Sequence, residues 1–433
     1  MTTSATGKPI LRYVASLFML LWVFLAHNEV AAAPPQPEVA SGDDIRAVTD
    51  PTSVSGVNPN SIFSRDVGDE YLCVPRLVER APQRCPPFGP GTRQARLSYL
   101  SARLPNPLPA LPLELIPAPE GSVTRFVYGE IVELPAPTYR HPAEADAMLP
   151  PVRVFQSNIN WVSVVGQIEY NGQTWYQING EEYLAARHLT FPEVSRFQGV
   201  QVVDSPAYPF GWLRRELAPS PAPGEPPRGD VMLPRRQLVT VFASEVANGQ
   251  RWDMIGPDQW VNHDWVALVT PKAPPSGVPD GAKWIEVDTY EQTLAAYEGP
   301  RLVYATLTTS GHPEKLTPLG LFRIFRKVRA AMMQSTDRPM DDPYWYHLED
   351  VEHAQFFNDR ISLHAAYWHD AFGTVRSNGC VNLAPLDARW LYGWTDPQLP
   401  PGGSWVTAEA AGEGQTWVWV HHSAAGLVEK PAP

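Results

Sequence analysis

The sequence predicts a mainly β protein assembled from several small domains, and three observations carry that reading. Its 433 residues include 47 prolines and 30 glycines, which interrupt the chain too often for long helices. Apolar and polar residues alternate with period two on either side of Asn-Gly turns at Asn171 and Asn248, the pattern of β-hairpins. Those two stretches also repeat each other: "NGQTWYQINGEEYLAARHLTF" from Asn171 aligns with "NGQRWDMIGPDQWVNHDWVAL" from Asn248. A chain of this length exceeds what one hydrophobic core supports, so roughly two to four domains are expected.

Residues 1–33 read as a cleavable secretory signal. Lys8 and Arg12 give a positive start, Tyr13 to Ala26 form an apolar run, and the small residues Val30 to Ala33 offer a cleavage site. That run is shorter than the roughly 20 residues that span a bilayer, so the chain is expected to be peripheral to a membrane at most. Export places it in the periplasm or cell envelope, an oxidising setting. Cys73 and Cys85 are then read as one local disulfide inside a Pro-rich linker over 34–118, ordered at most around that loop. The formal net charge of −12, with no basic stripe, argues against nucleic acid and anionic lipid as partners.

The repeat predicts two tandem barrels, 119–195 and 196–272. Each begins with a strand, a turn and a proline-aromatic loop ("FVYGEIVELPAPTYRHP" and "FQGVQVVDSPAYPFG"), and each carries an Asn-Gly hairpin with a core tryptophan, Trp175 or Trp252. They resemble bacterial SH3-like domains, which implies binding of wall peptide or positioning of a catalytic domain. A linker at 273–282 leads to the last domain, 283–408, which starts as strand, hairpin, strand, loop, strand. Residues 409–433 are read as a C-terminal strand and tail, with His421 and His422 at a surface end. Within 283–408, "KVRAAMMQSTDRPMDDPYWYH" from Lys327 has the makings of a lid.

The third cysteine, Cys380, lies in "RSNGCVNL" and has no partner in the disulfide reading. Four roles are open to it: half-cystine, buried filler, metal ligand and nucleophile. His364 ends an apolar, strand-like run sixteen positions earlier, a spacing that lets neighbouring strands or loop mouths join imidazole and thiol. A free thiol is mostly protonated at neutral pH, and an adjacent imidazole accepts its proton and stabilises the thiolate. Gly379 leaves room for a substrate carbonyl, and the amides of Asn378, Gly379 and Cys380 form a candidate oxyanion nest. A metal site from His364, His369 and Cys380 is disfavoured because its spacing fits neither one helix face nor one strand face. The residues by themselves give a Cys-His hydrolase or acyltransferase candidate.

Around this pair the chain resembles the L,D-transpeptidase (YkuD) family, whose signature is a His and, some fifteen residues later, Ser/Thr-His-Gly-Cys, an apolar residue and Asn or Arg. Here the text is His364, then Ser377-Asn378-Gly379-Cys380-Val381-Asn382, supported by "TPLG" at Thr317, "AYWHDAFG" at Ala366 and "DARWLYGW" at Asp387. Two positions depart from the pattern: Asn378 stands where the family has His, and Ala365 where it has Gly. The resemblance covers under a third of the chain. It implies a β-sandwich with small helical elements behind the two barrels, Cys380 as nucleophile, His364 as base, and a backbone carbonyl at Ala365 that fixes the His364 tautomer.

It also implies that Ser377 holds the loop and bonds His364 or substrate, while Tyr346, Tyr367, Trp368, Asn378 and Asn382 line the substrate cleft. No metal or cofactor is expected. The partner implied is the peptidoglycan stem peptide: a Cys380 thioester forms with loss of D-Ala and is resolved by a stem amine in a 3→3 cross-link. Water as acceptor gives an L,D-carboxypeptidase. A wall-binding scaffold with a lapsed catalytic domain is the reading from a different class.

Overall fold

The structure, a computed structural model, describes residues 90–424 apart from 118, 157–158, 179, 230, 343–344 and 413. The expected signal segment, Cys73, Cys85 and the last residues of the tail lie outside the described residues. Among the described residues no helix is long and apolar enough to cross a membrane.

The third domain is a sandwich of two sheets. One has seven strands in the order Leu113–Leu115, Val200–Val202, Arg301–Leu307, Thr293–Glu298, Lys283–Asp288, Trp417–His421, Gly320–Arg323. The other runs Val381–Leu383, Ile361–Ala365, Tyr346–Asn358, with Arg326–Gln334 and Trp405–Thr407 branching from it. Alternating apolar residues of both sheets close the core: Ile285, Val287, Leu294, Val418 and Val420 meet Leu363, Ala365, Val381 and Leu383. Helix Pro385–Trp394 starts on a proline, whose missing N–H is harmless there, and adds Ala388 and Leu391 to that core.

Both repeats fold as hairpins. Asn171-Gly172 joins Ile159–Tyr170 to Gln173–Ile178, and Asn248-Gly249 joins Ala243–Ala247 to Gln250–Gly256. All four turn residues have positive φ, between 49° and 72°, the conformation for which Asn-Gly is chosen. Each hairpin adds a third strand, Glu182–Ala185 or Gln259–Asn262, and then one turn of 3₁₀ helix. Trp175 is buried as expected, but Trp252 is half-buried, and in its unit Trp260 points inward instead.

Four boundaries differ from the sequence reading. The linker over 34–118 contains the helix Pro90–Ala102 and the strand Leu113–Leu115. Val200–Val202, read as the opening strand of the second barrel, pairs instead with Leu113–Leu115 and Arg301–Leu307 at the edge of the seven-stranded sheet. Trp417–His421, read as lying beyond the catalytic domain, sits inside that sheet, parallel to Lys283–Asp288. His421 is accordingly half-buried, with Nε2 2.7 Å from Glu286 Oε1. Finally, the first barrel is not separate. Ile159–Trp161 pairs in parallel with Tyr346–Leu348, so barrel and sandwich share one ten-stranded sheet.

A candidate active site between the first barrel and the sandwich

Side-chain alternation places the pair that the sequence singled out. Strands Ile361–Ala365 and Val381–Leu383 run parallel, with Leu363 opposite Val381 and His364 opposite Asn382. Leu363, Ala365, Val381 and Leu383 are fully buried in the sandwich core. With period two, Ser362, His364, Cys380 and Asn382 must then share the opposite face, which opens on a cleft. His364 and Cys380 sit one rung apart on that face, about 6.6 Å along the strand direction. The sixteen-residue spacing is closed by this ladder.

The His364 tautomer follows from its surroundings. Nδ1 lies 3.0 Å from the carbonyl oxygen of Ala365, which can only accept, so Nδ1 carries the proton and Nε2 keeps a lone pair. Alanine at 365 retains the carbonyl, so the departure from the family pattern costs nothing here. Burial holds the imidazole down to about 4, against a smaller raising effect of the Ala365 carbonyl. His364 is therefore neutral at physiological pH.

Cys380 is half-buried, with its thiol facing Arg360 O at 3.8 Å and Ser362 Oγ at 3.9 Å. Burial pushes the thiol up, and the Ser362 hydroxyl and amide offset only part of that. Thiol and imidazole are thus both uncharged at rest. The turn before Cys380 is held by Ser377, whose hydroxyl accepts from Gly379 N at 3.2 Å and donates to Cys380 O. Ser377 stabilises the loop as expected, but those bonds go to the turn itself and not to His364. The Gly379 amide is consumed in the same contact, which removes it from the expected oxyanion nest. Glycine is needed there for another reason: φ is +108°, and a Cβ would meet Ile361 Cδ1 at 3.0 Å.

The cleft holds about 320 Å³, at the small end for ligand pockets, and Tyr346, Trp368, Asn378 and Asn382 line it as expected. Trp368 packs its ring 5.8 Å from that of His364. Tyr367 does not line the cleft. It is 3% exposed, stacks at 3.5 Å on Tyr128 of the first barrel and donates to Glu349 O. The would-be lid is a wall, since Met333 and Tyr346 come from the two arms of a long hairpin. Asn382 meets His369 Nε2 at 3.0 Å, while His369 Nδ1 accepts from Ala371 N. His369, one member of the metal set weighed from sequence, therefore has both ring nitrogens in other contacts. Elsewhere Glu286, Asp288 and His421 converge, but Lys272 and Tyr297 also bond Glu286, which makes that cluster an ion-pair network.

Sequence reasoning missed several cleft residues. Glu130, Ile159 and Trp161 arrive from the first barrel, and Arg376 from the turn. His312 donates through Nε2 to Asn378 Oδ1 at 3.2 Å, because its Nδ1 accepts from Glu314 N. The loop carrying His312 is closed by Thr317 of "TPLG", whose hydroxyl accepts from Gly311 N at 2.9 Å.

Residues 282–420 match the YkuD family model, described as the L,D-transpeptidase catalytic domain. That stretch is a YkuD domain. A curated relative, "Probable L,D-transpeptidase 3" of Mycobacterium tuberculosis, is 36% identical over 91 residues, 20% of this chain. The chain spans about a third of that relative's length. Among solved structures, an L,D-transpeptidase from Mycobacterium smegmatis is similar at 23% identity and a TM-score of 0.28, over 40% of this chain and 72% of that one. L,D-transpeptidase 3 from Mycobacterium tuberculosis is similar at 18% identity and a TM-score of 0.28, over 43% and 91%. The YkuD match ends at residue 420, in agreement with the place of Trp417–His421 inside the sheet.

Proposed function

We propose that this protein is an exported L,D-transpeptidase that cross-links peptidoglycan stem peptides through a thioester on Cys380. One observation supports this above the rest. Inside a YkuD domain, His364 keeps an unprotonated Nε2 on the cleft face that also carries Cys380. Since both groups are neutral at rest, His364 takes the thiol proton as sulfur attacks the carbonyl of the third stem residue. The tetrahedral oxyanion faces the amides of Asn378 and Cys380. Its collapse breaks the C–N bond, His364 returns the proton to the leaving amine of D-Ala, and the acyl group stays on sulfur. The side-chain amine of a second stem then attacks the thioester. The C–S bond breaks, the thiol regains one proton, and the new amide is a 3→3 link. Export rests on the signal-like start, and the two barrels are read as SH3-like modules that seat the domain on the wall.

Mass spectrometry of products from disaccharide-tetrapeptide, with Cys380→Ala as control, tests this reading. A Cys380-dependent dimer lacking one D-Ala is expected. Tripeptide alone would replace the transpeptidase with a carboxypeptidase, and no product would leave the wall-binding scaffold.

A further inference from the structure

We infer that Glu130 of the first barrel binds the ammonium of the acceptor stem, which makes the barrel part of the acceptor subsite; this rests on the function proposed above. The strand Val127–Ile131 presents its two faces to different partners. Ile131 belongs to the barrel core, and a Cβ on Gly129 would lie 3.0 Å from Leu189 on that same inner side. Tyr128 and Glu130 point the other way, toward the sandwich. Tyr128 is clamped: its ring stacks at 3.5 Å on Tyr367 and its hydroxyl donates to Asp350 O at 2.7 Å. Two residues on, the carboxylate of Glu130 reaches the cleft that holds His364 and Cys380. Its neighbour Trp161, paired with it across the ladder, forms the adjoining wall.

A carboxylate in this position has a binding role open to it. It is half-buried, and burial raises its pKa. Most acidic side chains around the barrel and sandwich junction are already paired, Glu182 and Glu349 with Arg153 and Glu352 with the Arg125 amide. Glu130 instead faces the space next to the nucleophile. A partly desolvated carboxylate gains most from a ligand that brings its own positive charge, and the side-chain ammonium of an acceptor stem is such a ligand, which releases one proton to solvent before its nitrogen attacks the thioester.

The test uses the full chain with Cys380→Ala, so that binding is read without turnover. Calorimetry compares a stem tripeptide bearing a free side-chain amine with the same peptide acetylated on that amine. The free amine is expected to bind about tenfold tighter, the scale of a charge-assisted contact, and Glu130→Gln is expected to erase the difference. Equal affinities with Glu130 present, or a preference that survives Glu130→Gln, would overturn the assignment while leaving the thioester chemistry standing. If neither peptide binds, the stem-peptide reading falls and the subsite with it.

Discussion

His312 Nε2 lies 3.2 Å from Asn378 Oδ1, and the His312 amide donates to Ser377 O at 2.9 Å. With the Arg376 and Ser377 amides both donating to Ser310 O at 3.0 Å, these bonds tie one loop to the turn that presents Cys380. An imidazole stands beside the position where the family motif has its own, delivered from another strand connection. Removing it with His312→Ala takes away the side-chain bond and leaves the backbone bonds. Cys380 acylation is expected to slow about threefold to tenfold, since one such bond contributes about 1 kcal/mol. Stopped-flow acylation by a tetrapeptide measures it, and an unchanged rate would show that the backbone bonds alone hold the turn.

The neutral Cys380 and His364 pair makes a kinetic prediction. Burial raises the thiol and lowers the imidazole to about 4, so no thiolate is stored at rest. Alkylation of Cys380 by iodoacetamide should climb tenfold per pH unit from pH 6 to pH 8 without an acid plateau. A plateau in that range would reveal a preformed ion pair. The acid limb of kcat/KM should fall with a midpoint near 4, where His364 acquires a second proton and stops acting as a base.

Gly379→Ala puts a Cβ where φ is +108° and Ile361 Cδ1 is 3.0 Å away. Strain at such a position costs about 1–3 kcal/mol. The turn should shift to relieve it and carry Cys380 off its rung. Acylation should drop by about a hundredfold, with a lower melting temperature. A fully active variant would show that the turn tolerates a side chain.

Stability should depend on pH in two opposed ways. Burial lowers His353 to about 4, His364 to about 4 and His369 to about 3. Each contributes stability that is whole above the unfolded value of about 6.5 and is lost as pH falls through the lowered value. His263 runs the other way. Burial opposes its charge, but bonds to Asp253 at 2.6 Å and Glu291 at 3.1 Å outweigh burial and raise it to about 9. Its contribution is whole below about 6.5 and is lost as pH rises through about 9. Melting temperatures should therefore fall on both sides of neutrality, and His263→Gln should flatten the alkaline side alone. A variant with an unaltered alkaline limb would remove His263 from this account.

Much of the fold was legible because its signals are local. Asn171-Gly172 and Asn248-Gly249 need positive φ, and hairpins formed there. The alternation in Ile361–Ala365 separates Leu363 from His364 whatever lies around them, so the text already set His364 and Cys380 apart from the core. The rest depends on encounters between distant segments. Nothing in "FVYGEI" marks Glu130 as a cleft residue until Ile159–Trp161 pairs with Tyr346–Leu348. Tyr367 looked like a cleft wall because its neighbour Trp368 is one, yet period two turns it toward Tyr128. Gly379 was read as an oxyanion donor, and the Ser377 hydroxyl two residues away took its amide.

The position of Trp417–His421 bears on when the protein becomes competent. This strand lies between Lys283–Asp288 and Gly320–Arg323, and Val418 and Val420 lie in the core behind His364 and Cys380. Of the described strands, the ribosome makes it last. Without it the edge strand Gly320–Arg323 loses its only ladder partner in the seven-stranded sheet, and the core behind His364 and Cys380 lacks Val418 and Val420. A chain cut before Trp417 would carry His364 and Cys380 on a sheet whose packing partner is incomplete.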